Sequence, residues 1–211
     1  MITLDIHSDP ICPWCYIGKA RLDRALESRP DHPFEIRWHP FQLNPDMPRE
    51  GMKRDEYMAL KFGDAQGILD AHRPVIEAAE EAGVTLDLPA ITRTPNTLDA
   101  HRLIHWAGLE GRQNAMVAAL FRAYFREGRD IGDHDTLRAL AGQAGLDTDL
   151  TARLLATDAD TDLIIEADRM ARARGISGVP FFIIDKSYAV SGAQPVQVWQ
   201  DVIDELTGPR A

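Results

Sequence analysis

The stretch Ile2-Thr-Leu-Asp-Ile-His-Ser-Asp-Pro-Ile-Cys12-Pro-Trp-Cys15-Tyr-Ile-Gly-Lys19 changes its period halfway along, and that change decides the fold. Ile2, Leu4 and Ile6 alternate with Thr3, Asp5 and His7, the period-two pattern of a half-buried strand. Ser8-Asp9-Pro10 breaks it. After Cys12 the apolar residues Ile17, Leu22, Ala25 and Leu26 recur at helical spacing, with Lys19, Arg21, Asp23, Arg24 and Glu27 between them. Pro13 suits the first helical turn, where its missing N–H costs nothing. Pro30 and Pro33 lie past the helix end, and Phe34, Ile36 and Trp38 alternate with Glu35, Arg37 and His39 as a second strand. A strand, a crossover helix and a strand make a parallel βαβ unit.

Outward from that unit the pattern changes. From about Tyr57 to Arg174 apolar residues stand three or four apart, which predicts helices near 57–62, 68–82, 96–108, 112–127, 134–144, 147–156 and 160–174. Asp133 and Asp147 are expected as helix caps. Asp99-Ala100-His101-Arg102 reads as a polar helix face. The chain then returns to its opening style. Gly178-Val-Pro-Phe-Phe-Ile-Ile-Asp185 suits a buried strand, Tyr188-Ala-Val190 a partner strand, and Pro195 to Leu206 an amphipathic helix with Val196, Trp199, Val202, Ile203 and Leu206 on one side. Neither end holds enough strands for a stable sheet, so the two ends must pair with each other. The expected architecture is α/β: a discontinuous βαβ…ββα domain of residues 1–50 and 175–211, interrupted by an all-helical insertion of residues 51–174.

Composition limits the function. The 211 residues are 45% hydrophobic and 27% charged, as in an ordinary folded protein. No apolar run approaches the roughly 20 residues of a membrane-spanning helix, and the start of the chain lacks the basic region of a signal peptide. The expected setting is the cytoplasm. With 33 acids against 23 bases the net charge is −10, and no Lys/Arg cluster stands out. Nucleic acid and anionic membrane are therefore poor partners.

The two cysteines, Cys12 and Cys15, are three apart in Cys-Pro-Trp-Cys. A cytoplasmic chain has no general use for structural disulfides, so both thiols belong to one local device. Cys12 falls at the cap of the first helix, where free backbone N–H groups and the helix dipole favour thiolate over thiol. Cys15, one turn on, is placed to attack a mixed disulfide formed at Cys12. This makes Cys12 the exposed nucleophile and Cys15 the more buried resolving thiol. Trp14 is expected at the surface, as a substrate contact. His7 and His39 are the nearest histidines that could tune Cys12, and both read more simply as strand-face residues. A zinc site would need two more ligands, for which His101 and His105 are the candidates, far away in sequence. The second marker is Val179-Pro180. Proline in an apolar strand run removes a ladder hydrogen bond, and fits a strand start or a cis bond that would turn the Val179 backbone toward an extended substrate.

Together these residues resemble the DsbA-like branch of the thioredoxin superfamily, most closely its cytoplasmic FrnE-like subfamily. The phrases that carry the resemblance are Cys12-Pro-Trp-Cys-Tyr-Ile-Gly-Lys19, Asn96-Thr-Leu-Asp-Ala-His-Arg-Leu103, Gly178-Val-Pro-Phe-Phe182 and Ser191-Gly-Ala-Gln-Pro195. The resemblance implies a thioredoxin-like fold with a large helical insertion, a cis Pro180, and dithiol–disulfide exchange through Cys12 and Cys15. The mechanism expected from these residues has the substrate held by Pro13, Trp14, Val179 and Pro180 and requires no metal or organic cofactor. The activity expected is that of a thiol–disulfide oxidoreductase or disulfide isomerase acting on protein or small-molecule disulfides, with glutathione compatible as a redox partner.

Kappa-class glutathione transferases and 2-hydroxychromene-2-carboxylate isomerases share this branch. They typically carry serine at the first cysteine position and an Asp-Arg pair after Ser-Gly-Ala, where this chain has Cys12 and Gln194-Pro195. A glutathione-dependent isomerase or transferase is therefore the alternative enzymatic reading. A chaperone-like or zinc-holding module is the non-enzymatic one.

Overall fold

The computed structural model describes residues 1–208. Residues 209–211, the end of the expected discontinuous domain, lie outside the described residues. The chain opens as expected with β1 (Ile2–Ser8), α1 (Pro13–Glu27) and β2 (Phe34–Pro40), and β2 lies parallel to β1 from Ile2 opposite Phe34 to Ser8 opposite Pro40. Then follow β3 (Met52–Lys53), α2 (Arg54–Phe62), α3 (Ala65–Ala82), a 3-10 turn (Leu88–Ala90) and β4 (Arg93–Thr94). Five helices come next: α4 (Leu98–Leu109), α5 (Gln113–Phe125), α6 (His134–Gln143), α7 (Thr148–Leu155) and α8 (Thr161–Ala173). The chain closes with β5 (Phe181–Ile184), β6 (Tyr188–Ser191) and α9 (Val196–Thr207). The main sheet has the order β2-β1-β5-β6, with β5 antiparallel to both its neighbours. The two ends of the chain thus build one sheet, as their shortage of strands requires.

Each face of that sheet has its own cover. Leu4 and Ile6 of β1 stand opposite Ile184 and Phe182 of β5, and all four are buried in one core with Leu22 of α1 and Trp199 and Ile203 of α9. Trp199 is wholly buried and meets Phe182 edge to face at 4.7 Å between ring centroids. Burial of side chains this size stabilises by about 1.5–3 kcal/mol each. On the other face Phe181 and Ile183 pack with Phe41, Ala171 and Ile176, which places α8 against the sheet. α8 falls within the expected insertion, and in the fold it packs on both β2 and α4.

The insertion is not all helical. β3 and β4 pair as a two-stranded ladder, Met52 opposite Thr94 and Lys53 opposite Arg93. Two residues are too few to show a period-two pattern. The expected caps are present: Asp133 accepts from the Thr136 N–H, and Asp147 from those of Asp149 and Leu150. The insertion also protects the open edge of β2. The Gln113 side-chain amide accepts from the Trp38 N–H at 2.9 Å and donates to the Trp38 carbonyl at 3.1 Å, standing in for a neighbouring strand.

The expected polar face on α4 is corrected. Ala100, His101 and Arg102 are all buried. The Arg102 guanidinium donates to the carbonyls of Leu154, Thr157 and Ala159 at 2.7–2.8 Å and pairs with Asp99. It thus ties α4 to the last turn of α7 and to the loop that follows it.

Candidate active site

The turn after β1 delivers the first cysteine. The Cys12 N–H donates to the Asp9 carbonyl at 2.9 Å, and Cys12 itself caps α1 with an extended backbone (φ −87°, ψ 113°). The amides of Cys15 and Tyr16 both donate to the Cys12 carbonyl, so the first turn of α1 closes on the backbone of Cys12. The Cys12 thiol makes no capping hydrogen bond. Its sulfur instead faces the Val179 carbonyl oxygen at 3.5 Å. Cys15 lies one turn deeper, and both thiols are free. Burial pushes the Cys15 thiol well up, and its contact with Cys12 adds to that, while the Ser8 hydroxyl and the Asp9 amide pull the other way.

Two expectations about exposure need correction. Cys12 is more open than Cys15, but only at 4% against 1%. The Val179–Pro180 segment, 167 residues away in sequence, lies against its sulfur. Trp14 is half-buried rather than free at the surface, packed with Ile17 of α1 and with Val75 and Ala79 of α3. The insertion therefore lies along α1, a long-range contact that local periodicity does not register.

The Val179–Pro180 peptide bond is cis. Among the described residues the Val179 N–H has no hydrogen-bond partner. A groove of about 420 Å³ runs along this segment, lined by Ser177, Gly178, Val179, Pro180, Ser191 and Gly192 among others. The loop after β6 closes on the segment, with the Gly192 N–H donating to the Pro180 carbonyl at 2.8 Å.

Several residues that hold this arrangement were missed by sequence reasoning. Gly18 of α1 faces Pro180 and Ala193, and a methyl at that position would stand 3.1 Å from the Pro180 ring and 3.4 Å from the Ala193 backbone. Arg21, one turn further on, donates to the Ala193 carbonyl at 2.7 Å and to Glu81 of α3 at 3.1 Å. Asp9 is wholly buried, and its carboxylate accepts from the amides of Ile11 and Leu43 and from the Thr97 hydroxyl. Burial pushes its pKa up to about 7. The only advance signals were Gly18 in a helix interior and an acid at a strand end.

Among the described residues no histidine hydrogen-bonds to either cysteine. His7 stacks on His39 at 5.1 Å on the sheet face, and His39 pairs with Asp5. His101 is buried 3.9 Å from Asp9, and His105 lines a separate cleft beside β2. Among the described residues no three His, Cys, Asp or Glu side chains are grouped to hold a metal.

The family model for the DSBA-like thioredoxin domain matches residues 3–204. The chain belongs to the DSBA-like thioredoxin domain family. A probable DsbA oxidoreductase from Streptomyces coelicolor is 32% identical, with a TM-score of 0.86 over 100% of this chain and 92% of that one. The uncharacterized protein YwbO of Bacillus subtilis (strain 168) is 27% identical over 206 residues, 97% of this chain and 96% of its own. The cytosolic disulfide reductase DsbM of Pseudomonas aeruginosa, solved with GSH, shares the fold at 20% identity and a TM-score of 0.69, over 97% of this chain and 98% of its own. In this DSBA-like chain, Cys12, Cys15, Val179 and Pro180 come together at the meeting point of α1 and β5, while Trp14 and Pro13 line the start of α1. Among its described residues no helix is long and apolar enough to cross a membrane.

Proposed function

We propose that the protein exchanges thiols and disulfides through the Cys12–Cys15 pair, acting on disulfide-bearing proteins or small molecules. In the reducing direction the Cys12 thiolate attacks one sulfur of the substrate disulfide. The other substrate sulfur leaves as a thiolate and takes up a proton. Cys15 then loses its proton and attacks the Cys12 sulfur, which breaks the mixed disulfide and releases the second substrate thiol. Two electrons pass from the dithiol to the substrate, and the reverse sequence oxidises a substrate dithiol.

The observation that carries this reading is the Cys12 sulfur at the helix cap facing the Val179 carbonyl, with the free Cys15 thiol one turn behind. Helix N-termini favour the thiolate that such attack requires. The unpaired Val179 N–H and the adjoining groove offer an extended substrate segment a main-chain partner. We assign Pro13, Trp14, Val179 and Pro180 to substrate contact on that basis. The setting we propose is the cytoplasm, where a chain with a single reactive pair fits a reducing environment. Glutathione is the redox partner we propose there, in line with the GSH bound to the similarly folded DsbM.

The test is a glutathione redox titration of the purified protein, with free thiols alkylated and counted by mass. A reversible two-electron transition between dithiol and disulfide is expected, and about 30 mV in its midpoint changes the ratio tenfold. A pair that stays reduced throughout, or a Cys12→Ser protein that still exchanges disulfides at the wild-type rate, would overturn the reading.

A further inference from the structure

A second cavity, of about 590 Å³, opens between α2, α3 and the Leu88–Thr92 segment. Its size lies within the range of small-molecule sites. Met58, Ile68, Leu88 and Ile91 supply an apolar lining, and none of Cys12, Cys15, Val179 or Pro180 reaches it.

Arg54 and His72 line the same cavity. Arg54 is half-buried, and among the described residues no carboxylate lies within ion-pairing distance of it. Its side-chain hydrogen bond goes to a neutral group, the Tyr124 hydroxyl at 3.3 Å, whose own hydrogen goes to the Arg93 carbonyl. The other buried or half-buried arginines differ, each with a carboxylate: Arg21 meets Glu81, Arg29 Asp204, Arg93 Asp130, Arg102 Asp99 and Arg129 Glu127. The two other charged groups at the rim are engaged locally. Lys53 lies 3.6 Å from Glu56, and the Asp55 carboxylate accepts from the Glu56 N–H in the first turn of α2. Arg54 is felt across the cavity by His72, whose pKa is lowered by burial and by the nearby guanidinium, so that the ring is neutral at pH 7 and free to donate a hydrogen bond.

A half-buried guanidinium without a carboxylate is a fork left open for a planar anion. In a chain of net charge −10 the preference it creates is local to this cavity. We propose that this cavity binds a small amphipathic carboxylate, its aromatic or aliphatic body against Met58, Ile68, Leu88 and Ile91 and its carboxylate paired with Arg54. The site is separate from the cysteine pair, and its success or failure leaves the redox reading untouched.

Titration calorimetry of the full chain with 1-naphthoate and with 1-naphthylmethylamine tests it, since the two share a body and differ in charge. Saturable binding of one naphthoate per chain is expected, with the amine weaker by about tenfold or more, as fits the loss of a charge-assisted bond. Arg54→Gln should weaken naphthoate by a similar factor, and Arg54→Lys should restore part of it. Because Arg54 also touches Tyr124, Ile68→Trp provides a second variant that fills the cavity without altering the cation, and it should exclude naphthoate. Equal binding of the two probes, no binding of naphthoate, or naphthoate affinity unchanged in both Arg54→Gln and Ile68→Trp would overturn the proposal.

Discussion

The sulfur of Cys12 stands 3.5 Å from the main-chain oxygen of Val179, across 167 positions of sequence. The contact covers the Cys12 sulfur and leaves Cys15 deeper still, with a thiol that burial holds in its protonated form. The order of reaction follows from that depth. Iodoacetamide should label Cys12 of the reduced native protein first and Cys15 only slowly, with both labelled quickly in denaturant. Cys15→Ser should accumulate mixed disulfides with substrate or glutathione, because the resolving thiol is gone. Peptide mass mapping reads both results, and preferential labelling of Cys15 would reverse the assigned roles.

Gly18 lets α1 approach the loops that face it. Gly18→Ala gains up to about 1 kcal/mol in helix propensity. It also places a methyl 3.1 Å from the Pro180 ring and 3.4 Å from the Ala193 backbone. Overpacking of this kind costs about 1–3 kcal/mol, so the net effect is destabilising. Urea unfolding should show a lower midpoint with an unchanged slope, accompanied by slower disulfide exchange. A variant more stable than wild type would mean that the loops yield at no cost.

The opening βαβ unit, the returning strands and the cysteine device were legible because each rests on local pattern: alternation, helical spacing, a capped helix start. What stayed hidden depends on partners far along the chain. His101 and Arg102 looked like a solvent face, yet Arg102 is buried because carbonyls near residues 154–159 need its guanidinium. Trp14 looked exposed until α3 lay beside it. Asp9 read only as a strand breaker, although its carboxylate joins the turn before Cys12 to Leu43 and Thr97. Arg54 carried no motif at all, and its lack of a carboxylate partner is visible only in three dimensions.

Arg21 ties α1 to α3 through Glu81 and to the loop after β6 through the Ala193 carbonyl, and that loop in turn holds Pro180 through the Gly192 amide. Hydrogen bonds from a charged donor contribute about 1.5–3 kcal/mol. Arg21→Met should therefore lower stability by an amount in that range and speed amide hydrogen exchange at Gly192 and Gln194. A higher KM for disulfide substrates should accompany it, and Arg21→Lys should lie between the two. Unchanged protection of residues 191–194 would remove Arg21 from any role in placing Pro180.

The buried titrating groups set opposed slopes of stability against pH. Burial, aided by His39, lowers the pKa of His7 to about 4, and burial lowers that of His101 to about 4 as well, from an ordinary 6.5. Between pH 4 and 6.5 the unfolded chain holds these two protons and the folded chain does not, so both groups make stability rise with pH. Asp9 acts the other way. Its folded pKa of about 7 against 3.8 unfolded means that the native state alone is protonated there, which makes stability fall as pH rises until about 7. Two protons against one leave a net rise from these groups of about 1.4 kcal/mol per pH unit in that window. Asp9→Asn removes the opposing proton and should roughly double that contribution. Its NH2 also faces one of the two N–H groups, that of Ile11 or that of Leu43, with a donor where a carboxyl oxygen accepted, at a cost of about 1–3 kcal/mol that shifts the whole curve without changing its slope. Unfolding free energies of both proteins at several pH values from 4 to 8 give the difference directly, with contributions common to both cancelling. Parallel curves through that window would show that Asp9 is ionised in the folded protein.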